Sequence, residues 1–187
     1  MSRRRVVVTG MGIISPVGNN IEEYWDALSN GKNGIGKITL FDTKDFSVKI
    51  AGEIKNIDFT NFLDSKEINR MDRFTILALI AAQEAVKQSS LEKHSLDSNR
   101  IGVIVGSGIG GITTLTNQHK KLLINPRRVS PFFIPSLISD IAAGHISIKY
   151  GFKGPNYGVV SACATATHAI GNAYRMIQYG DADIIIS

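Results

Sequence analysis

The stretch from Ile68 to Val86 constrains this chain more than any other, because it has the period of a helix but no polar face. Met71, Phe74, Ala78, Ala81 and Ala85 follow a 3-4-3-4 spacing along one side, while Ile76, Leu79 and Ile80 make the remaining sides apolar. Such a helix must be covered on nearly every side, which predicts a buried middle layer. Its greasiest run, Ile76 to Ala82, is bounded by Asp72-Arg73 and Gln83-Glu84. That run is far short of the roughly 20 apolar residues a membrane crossing needs, so a core helix is expected and no membrane contact.

Around it, short β-branched runs alternate with helical patterns. Val6-Val7-Val8, Ile101 to Val105, Val159-Val160 and Ile184-Ile185-Ile186 read as strands, and the first two run straight into glycine-rich turns. Ile21 to Leu28, Leu115 to Leu123, Pro135 to Ile148 and Ala164 to Tyr179 read as helices. Apolar strands alternating with helices predict an α/β layered architecture with helices on both sheet faces. The segment from Lys37 to Asn61 breaks this rhythm, and its Val48 to Ile54 part alternates weakly, as a surface strand or hairpin would. No repeat or linker divides the chain, so residues 1–187 are read as one unit. Gly180 closes a helix, and Asp183 to Ser187 begins a strand whose continuation is expected beyond the chain.

The run Ser2-Arg3-Arg4-Arg5 is followed by only three valines before Thr9-Gly10, too short an apolar stretch for a secretion signal. The single cysteine cannot close an internal disulfide, and His94, His119, His145 and His168 show no metal-ligand spacing. A cytoplasmic protein without structural metal is therefore expected. The net charge of +5 is concentrated: from Ser98 to Ser139 there is no acidic residue, while Arg100, Lys120, Lys121, Arg127 and Arg128 are all basic. This window is either a solvated basic face or a docking patch for an acidic partner. Without a nucleic-acid motif or interleaved aromatics, nucleic acid is the weaker partner.

Gly106-Ser107-Gly108-Ile109-Gly110-Gly111 satisfies G-x-G-x-x-G after a strand. A dinucleotide site also needs an acidic residue about 20 positions on for the ribose, whereas the first acid after Gly111 is Asp140. The loop is left as a tight structural turn or the wall of a pocket. Gly10-Met11-Gly12 lacks the third glycine and reads as a strand exit.

Cys163 lies where the strand at Val159-Val160 gives way to the helix from Ala164. A helix N-terminus stabilises a thiolate through its free N–H groups and dipole, and such N–H groups also suit an oxyanion. Ala162, Ala164, Thr165 and Ala166 are small enough to admit a long substrate. The alternative is a small buried hydrophobe in an alanine-rich helix. His168 is five residues along the same helix, about 140° around it, and so poorly placed as a base for the sulfur. His145, on another helix, is either a second candidate partner for the sulfur or, the favoured reading, a packing residue.

These segments, together with Ser15-Pro16-Val17-Gly18, Ser130-Pro131-Phe132-Phe133-Ile134-Pro135-Ser136, Ala143-Gly144-His145 and Gly180-Asp181-Ala182-Asp183, resemble the β-ketoacyl-acyl-carrier-protein synthase II family over essentially the whole chain. The resemblance implies a thiolase-like α/β fold, five-layered (αβαβα) when complete, of which this chain is the first, nucleophile-bearing half; it also implies a homodimer. It implies that Cys163 takes an acyl group from acyl carrier protein and that malonyl-acyl carrier protein then loses carbon dioxide. The carbanion attacks the acyl-enzyme to give a β-ketoacyl product two carbons longer. It implies that Ile109, Phe133 and Ile134 line or gate the acyl pocket, the last two from across the dimer, and that Lys66, Arg70, Arg127 and Arg128 dock the acidic carrier. No resident cofactor is implied, because the phosphopantetheine arm arrives on the carrier. Two histidines and a lysine that assist decarboxylation belong to the family's second half, as does one oxyanion donor, so this chain alone is not expected to be fully active. The glycine common three residues after the cysteine is Ala166 here. Two other readings stay open, a non-catalytic carrier-binding or dimerisation module and a polyketide-type condensing enzyme.

Overall fold

The computed structural model describes residues 4–187, so the Ser2-Arg3 part of the basic run lies outside the described residues. In order come α1 (Ile21–Ser29), β1 (Ile35–Lys37), β2 (Ile50–Gly52), α2 (Ser65–Ile68), α3 (Arg73–Ser89), β3 (Ile101–Gly106), α4 (Ile112–Ile124), α5 (Phe133–Leu137), α6 (Ile141–Tyr150), β4 (Asn156–Val159), α7 (Thr165–Tyr179) and β5 (Ile184–Ile186). The central strand is β3, which pairs in parallel with β4 on one side and β5 on the other.

Neighbouring residues on β3 serve opposite faces, as the two-residue period of a strand requires. Val103 enters a core with Ile76, Leu79 and Ile80 of α3 and Ala143 and Ile146 of α6. Ile104 enters a second core with Ala169 and Ala173 of α7. Helices thus cover both sheet faces, the α/β layering the sequence predicts. Val103 and Ile104 are fully buried, each contributing about 1.5–3 kcal/mol through its apolar surface.

The pattern from Ile68 to Val86 is divided. Asp72 caps α3, its carboxylate accepting the Phe74 N–H, so Ile68 ends α2 instead. The α3 face carrying Ala81 and Ala85 is met by the extended N-terminal segment, where a Cβ on Gly10 or Gly12 would collide with the carbonyl oxygens of Ala85 and Ala81. What reads as a strand exit is a contact surface. No strand forms at Val6–Val8. Beyond it, the Met11 and Ile13 N–H groups are taken by Gln88 Oε1 and Glu84 Oε2 of α3 rather than by a sheet partner. Within α3 only Lys87 and Gln88 are exposed, so the expected cover on nearly every side is present, whereas α7 leaves Ile170 and Tyr174 exposed on its outer side.

The helix read from Pro135 to Ile148 is two helices. Ile138 is extended, and the Leu137 carbonyl, which a continuous helix would bond to residue 141, accepts from the Gly111 N–H instead. The excursion from Lys37 does form a hairpin, β1 pairing antiparallel with β2. Behind it the Glu53 carboxylate accepts from the Thr39 N–H and hydroxyl and the Leu40 N–H, and the Thr39 N–H bond leads in holding that carboxyl below its ordinary pKa.

Candidate active site

The parallel strands β3 and β4 finish side by side, Gly106 opposite Val159, so the loops that follow them leave from one edge of the sheet. That edge is where open α/β sheets place their ligands. The Ser107 N–H donates to the Val159 carbonyl at 3.2 Å, tying the glycine loop to the lead-in of the cysteine turn.

Cys163 sits in the middle of a 3-10 turn, Ala162–Ala164, that runs directly into α7, and it is exposed. The reading of a small buried hydrophobe is thereby set aside. Ala162 takes the left-handed φ of 50°, a conformation that costs a non-glycine residue about 1–2 kcal/mol. Ser161 anchors this turn: its N–H donates to Thr165 Oγ1 at 2.9 Å and its carbonyl accepts the Ala164 N–H at 3.1 Å. Its Oγ lies 2.7 Å from His168 Nδ1. Thr165 is buried against Gly106, where any Cβ would strike the threonine methyl.

The rest of the glycine loop turns away toward α5. Gly110 has a left-handed φ of 83°, its N–H donating to Ser107 Oγ at 2.9 Å, and the Gly111 N–H reaches the Leu137 carbonyl at 2.9 Å. Ile109, at the tip, is 68% exposed, and Ile134 on α5 is 57% exposed, whereas Phe133 is half-buried. The Gly111–Leu137 bond thus ties the loop to the end of α5, the helix that carries Phe133 and Ile134. Two shallow concavities elsewhere, one beside Asn20, Trp25 and Ser29 and one beside Thr60, Leu63 and Glu67, are on other elements.

The dinucleotide alternative fails on a specific residue. The α4 N-terminus, where a pyrophosphate would sit, already holds an anion: buried Asp72 accepts the Thr114 N–H at 2.7 Å. Sequence reasoning missed this bridge, because nothing local connects positions 42 residues apart. The Ser161–His168 pair is far more local, seven residues apart across the entry to α7.

Of the basic residues, Lys66 and Arg70 lie on or just after α2, and Arg127 and Arg128 form a 3-10 turn after α4; all four are exposed. The Arg70 guanidinium lies 5.1 Å over the Phe132 ring, and its carbonyl accepts from Ser136 Oγ at 2.8 Å. Arg70 is thus fixed to the segment that carries Phe133 and Ile134. The path from Arg128 back to Phe132 is pinned at Ser130, whose N–H donates to buried Gln118 Oε1 at 2.9 Å.

His145 on α6 is half-buried, and that burial pushes its imidazole below the ordinary pKa, opposed by the Glu67 carboxylate. This environment suits packing. Among the described residues no three His, Cys, Asp or Glu side chains gather as metal ligands would, and no helix is long and apolar enough to cross a membrane.

The family model for the β-ketoacyl synthase N-terminal domain matches residues 3–187. The chain is 51% identical over 185 residues to the 3-oxoacyl-(acyl-carrier-protein) synthase 2 of Staphylococcus aureus (strain COL), covering 98% of this chain and 45% of that protein. Against the protein of the same name from Synechocystis sp. it is 46% identical over 187 residues, again covering 45% of the relative. The chain therefore spans about half the length of the curated relatives it matches. Among solved structures, the ishigamide ketosynthase/chain length factor matches with a TM-score of 0.90 at 27% identity over 98% of this chain and 46% of its own. A ketosynthase solved with its type II polyketide acyl-carrier protein and bound to the hexaketide matches with a TM-score of 0.82 at 26% identity, over 96% and 49% of the two chains.

Proposed function

The chain belongs to the β-ketoacyl synthase family, and from that premise we propose that Cys163 is its acyl-accepting nucleophile in the two-carbon elongation of fatty acyl chains. Its fold is that of the thiolase-like ketosynthases over their N-terminal half. The observation that carries the proposal is the exposed cysteine at the head of α7, on a tensioned turn at the edge where the glycine loop also emerges.

In this reading the Cys163 thiolate attacks the thioester carbonyl of an acyl-acyl carrier protein, and the carrier's phosphopantetheine sulfur leaves as the thiolate. Malonyl-acyl carrier protein then loses carbon dioxide, and its C2 carbanion attacks the acyl-cysteine carbonyl. The cysteine thiolate departs, and a β-ketoacyl chain two carbons longer remains on the carrier. The small side chains of Ala162, Ala164 and Ala166 leave room for the arm, and Ile109, Phe133 and Ile134 line the path of the acyl chain. Lys66, Arg70, Arg127 and Arg128 receive the acidic carrier, with Arg70 linking docking surface and pocket through Phe132. The working enzyme is a homodimer in the cytoplasm, where the Cys163 thiol stays reduced. Decarboxylation relies on two histidines and a lysine of the family's second half, outside these 187 residues. Fatty acid synthesis is favoured over polyketide synthesis by the 51% identity to the staphylococcal synthase, against 26–27% to the polyketide-type and ishigamide ketosynthases.

The test is the intact mass after incubation with a long-chain acyl-acyl carrier protein, for the 187-residue chain and the full-length protein, with Cys163→Ser beside each. A gain of one acyl group that vanishes in the serine variant is expected of the full-length protein. A folded full-length protein that takes up no acyl group would overturn the nucleophile assignment.

A further inference from the structure

We propose that His168 is a positioning residue for Cys163, acting through Ser161: it locks the strained turn that presents the sulfur and exchanges no proton with it. The inference rests on the reading of Cys163 as the nucleophile. Ala162, between Ser161 and Cys163, holds a left-handed φ of 50°. A residue so strained persists only where its surroundings over-determine it.

Three contacts converge on Ser161 and supply that over-determination. Thr165 Oγ1 accepts its N–H at 2.9 Å, its carbonyl accepts the Ala164 N–H at 3.1 Å, and its Oγ and His168 Nδ1, 2.7 Å apart, share one hydrogen. The first two come from within the turn and the opening residue of α7. Only His168 reaches back from beyond that, so it ties the turn to the body of a helix whose Ala169 and Ala173 are buried in the core. Its Nδ1 is engaged by Ser161 Oγ, so that nitrogen is committed to the turn and not to the sulfur.

The experiment measures the rate at which iodoacetamide alkylates Cys163 in the full-length protein, read by mass. His168→Phe keeps the ring volume and removes the nitrogen; His168→Asn restores an amide group where Nδ1 stands. Each of His168→Phe and Ser161→Ala is expected to slow alkylation on the order of fivefold, the range set by the net worth of one hydrogen bond. The double variant is expected to be no slower than either single one, because both remove the same interaction, and His168→Asn should stay within about twofold of the parent. A merely structural contribution would not be rescued by asparagine. Unchanged or faster alkylation in the single variants, multiplying effects in the double variant, or asparagine as slow as phenylalanine would overturn the proposal. Acyl transfer is scored separately: normal acylation with unaffected alkylation rates removes the role of His168, whereas the expected alkylation pattern without acyl uptake removes the function assigned to Cys163.

Discussion

Replacing Asp72 by asparagine changes almost no volume, yet it should weaken the fold as few isosteric substitutions do. The side chain is 4% exposed, and its two oxygens accept from two backbone donors, Phe74 N–H at 3.3 Å and Thr114 N–H at 2.7 Å. An amide has one carbonyl oxygen, so at most one donor is answered while the NH₂ group faces the other. A hydrogen bond to a charged acceptor contributes about 1.5–3 kcal/mol, and the short contact to Thr114 belongs to the stronger, charge-assisted kind. We expect Asp72→Asn to lower stability by about 2–3 kcal/mol, a fall in Tm of about 4–12 °C for a domain of this size. Asp72→Ala should cost about as much, since it also gives up the α3 cap. Urea denaturation followed by circular dichroism measures both variants. An asparagine variant within about 0.5 kcal/mol of the parent, the range of an indifferent surface change, would refute the bridge. Asparagine much milder than alanine would assign the effect to volume instead.

Two further outcomes follow from the N-terminal segment. The Arg100 guanidinium, and after it that of Arg4, hold the Asp183 carboxyl down from 3.8 to about 2, so this carboxylate stabilises the fold above the ordinary value and the benefit fades as pH falls toward 2. The stability gap between parent and Asp183→Asn should therefore close between about pH 4 and 2, and a gap that persists at pH 2 would contradict the assignment. Gly12→Ala places a methyl against the Ala81 carbonyl, an overpacking cost of about 1–3 kcal/mol; it should speed tryptic cleavage at Arg4-Arg5, and an unchanged digestion rate would count against the close approach.

The layered α/β class was legible because its signals are local: β-branched runs ending in glycine, and helices with clear periods. The end of the helix at Gly180 was legible for the same reason, as its left-handed φ of 87° shows. Cys163 at the entry to α7 was likewise readable from small residues following a strand. The failures are long-range. Val6–Val8 has strand composition, but among the described residues no strand pairs with it. The break after Leu137 depends on a carbonyl claimed by Gly111, and the capping of α4 depends on Asp72, neither visible in a window of sequence. Ala162 gave no signal at all, because alanine is not a residue one expects in a left-handed turn.

The position of β3 at the centre of its sheet sets a timetable for synthesis. Its partners are made much later, Asn156 opposite Val103 and Ile184 opposite Ile101. At roughly 5–20 residues per second, the ribosome needs on the order of 4–17 s to proceed from one end of that pairing to the other. Until β4 is made both edges of Ile101-Gly102-Val103-Ile104-Val105 are open, and until β5 is made one of them still is, which leaves a segment suited to pairing with another chain. The turn bearing Cys163 leans on β3 through Thr165 and Gly106, so the thiol takes its setting only after Thr165 has been made and brought back against a strand completed long before it.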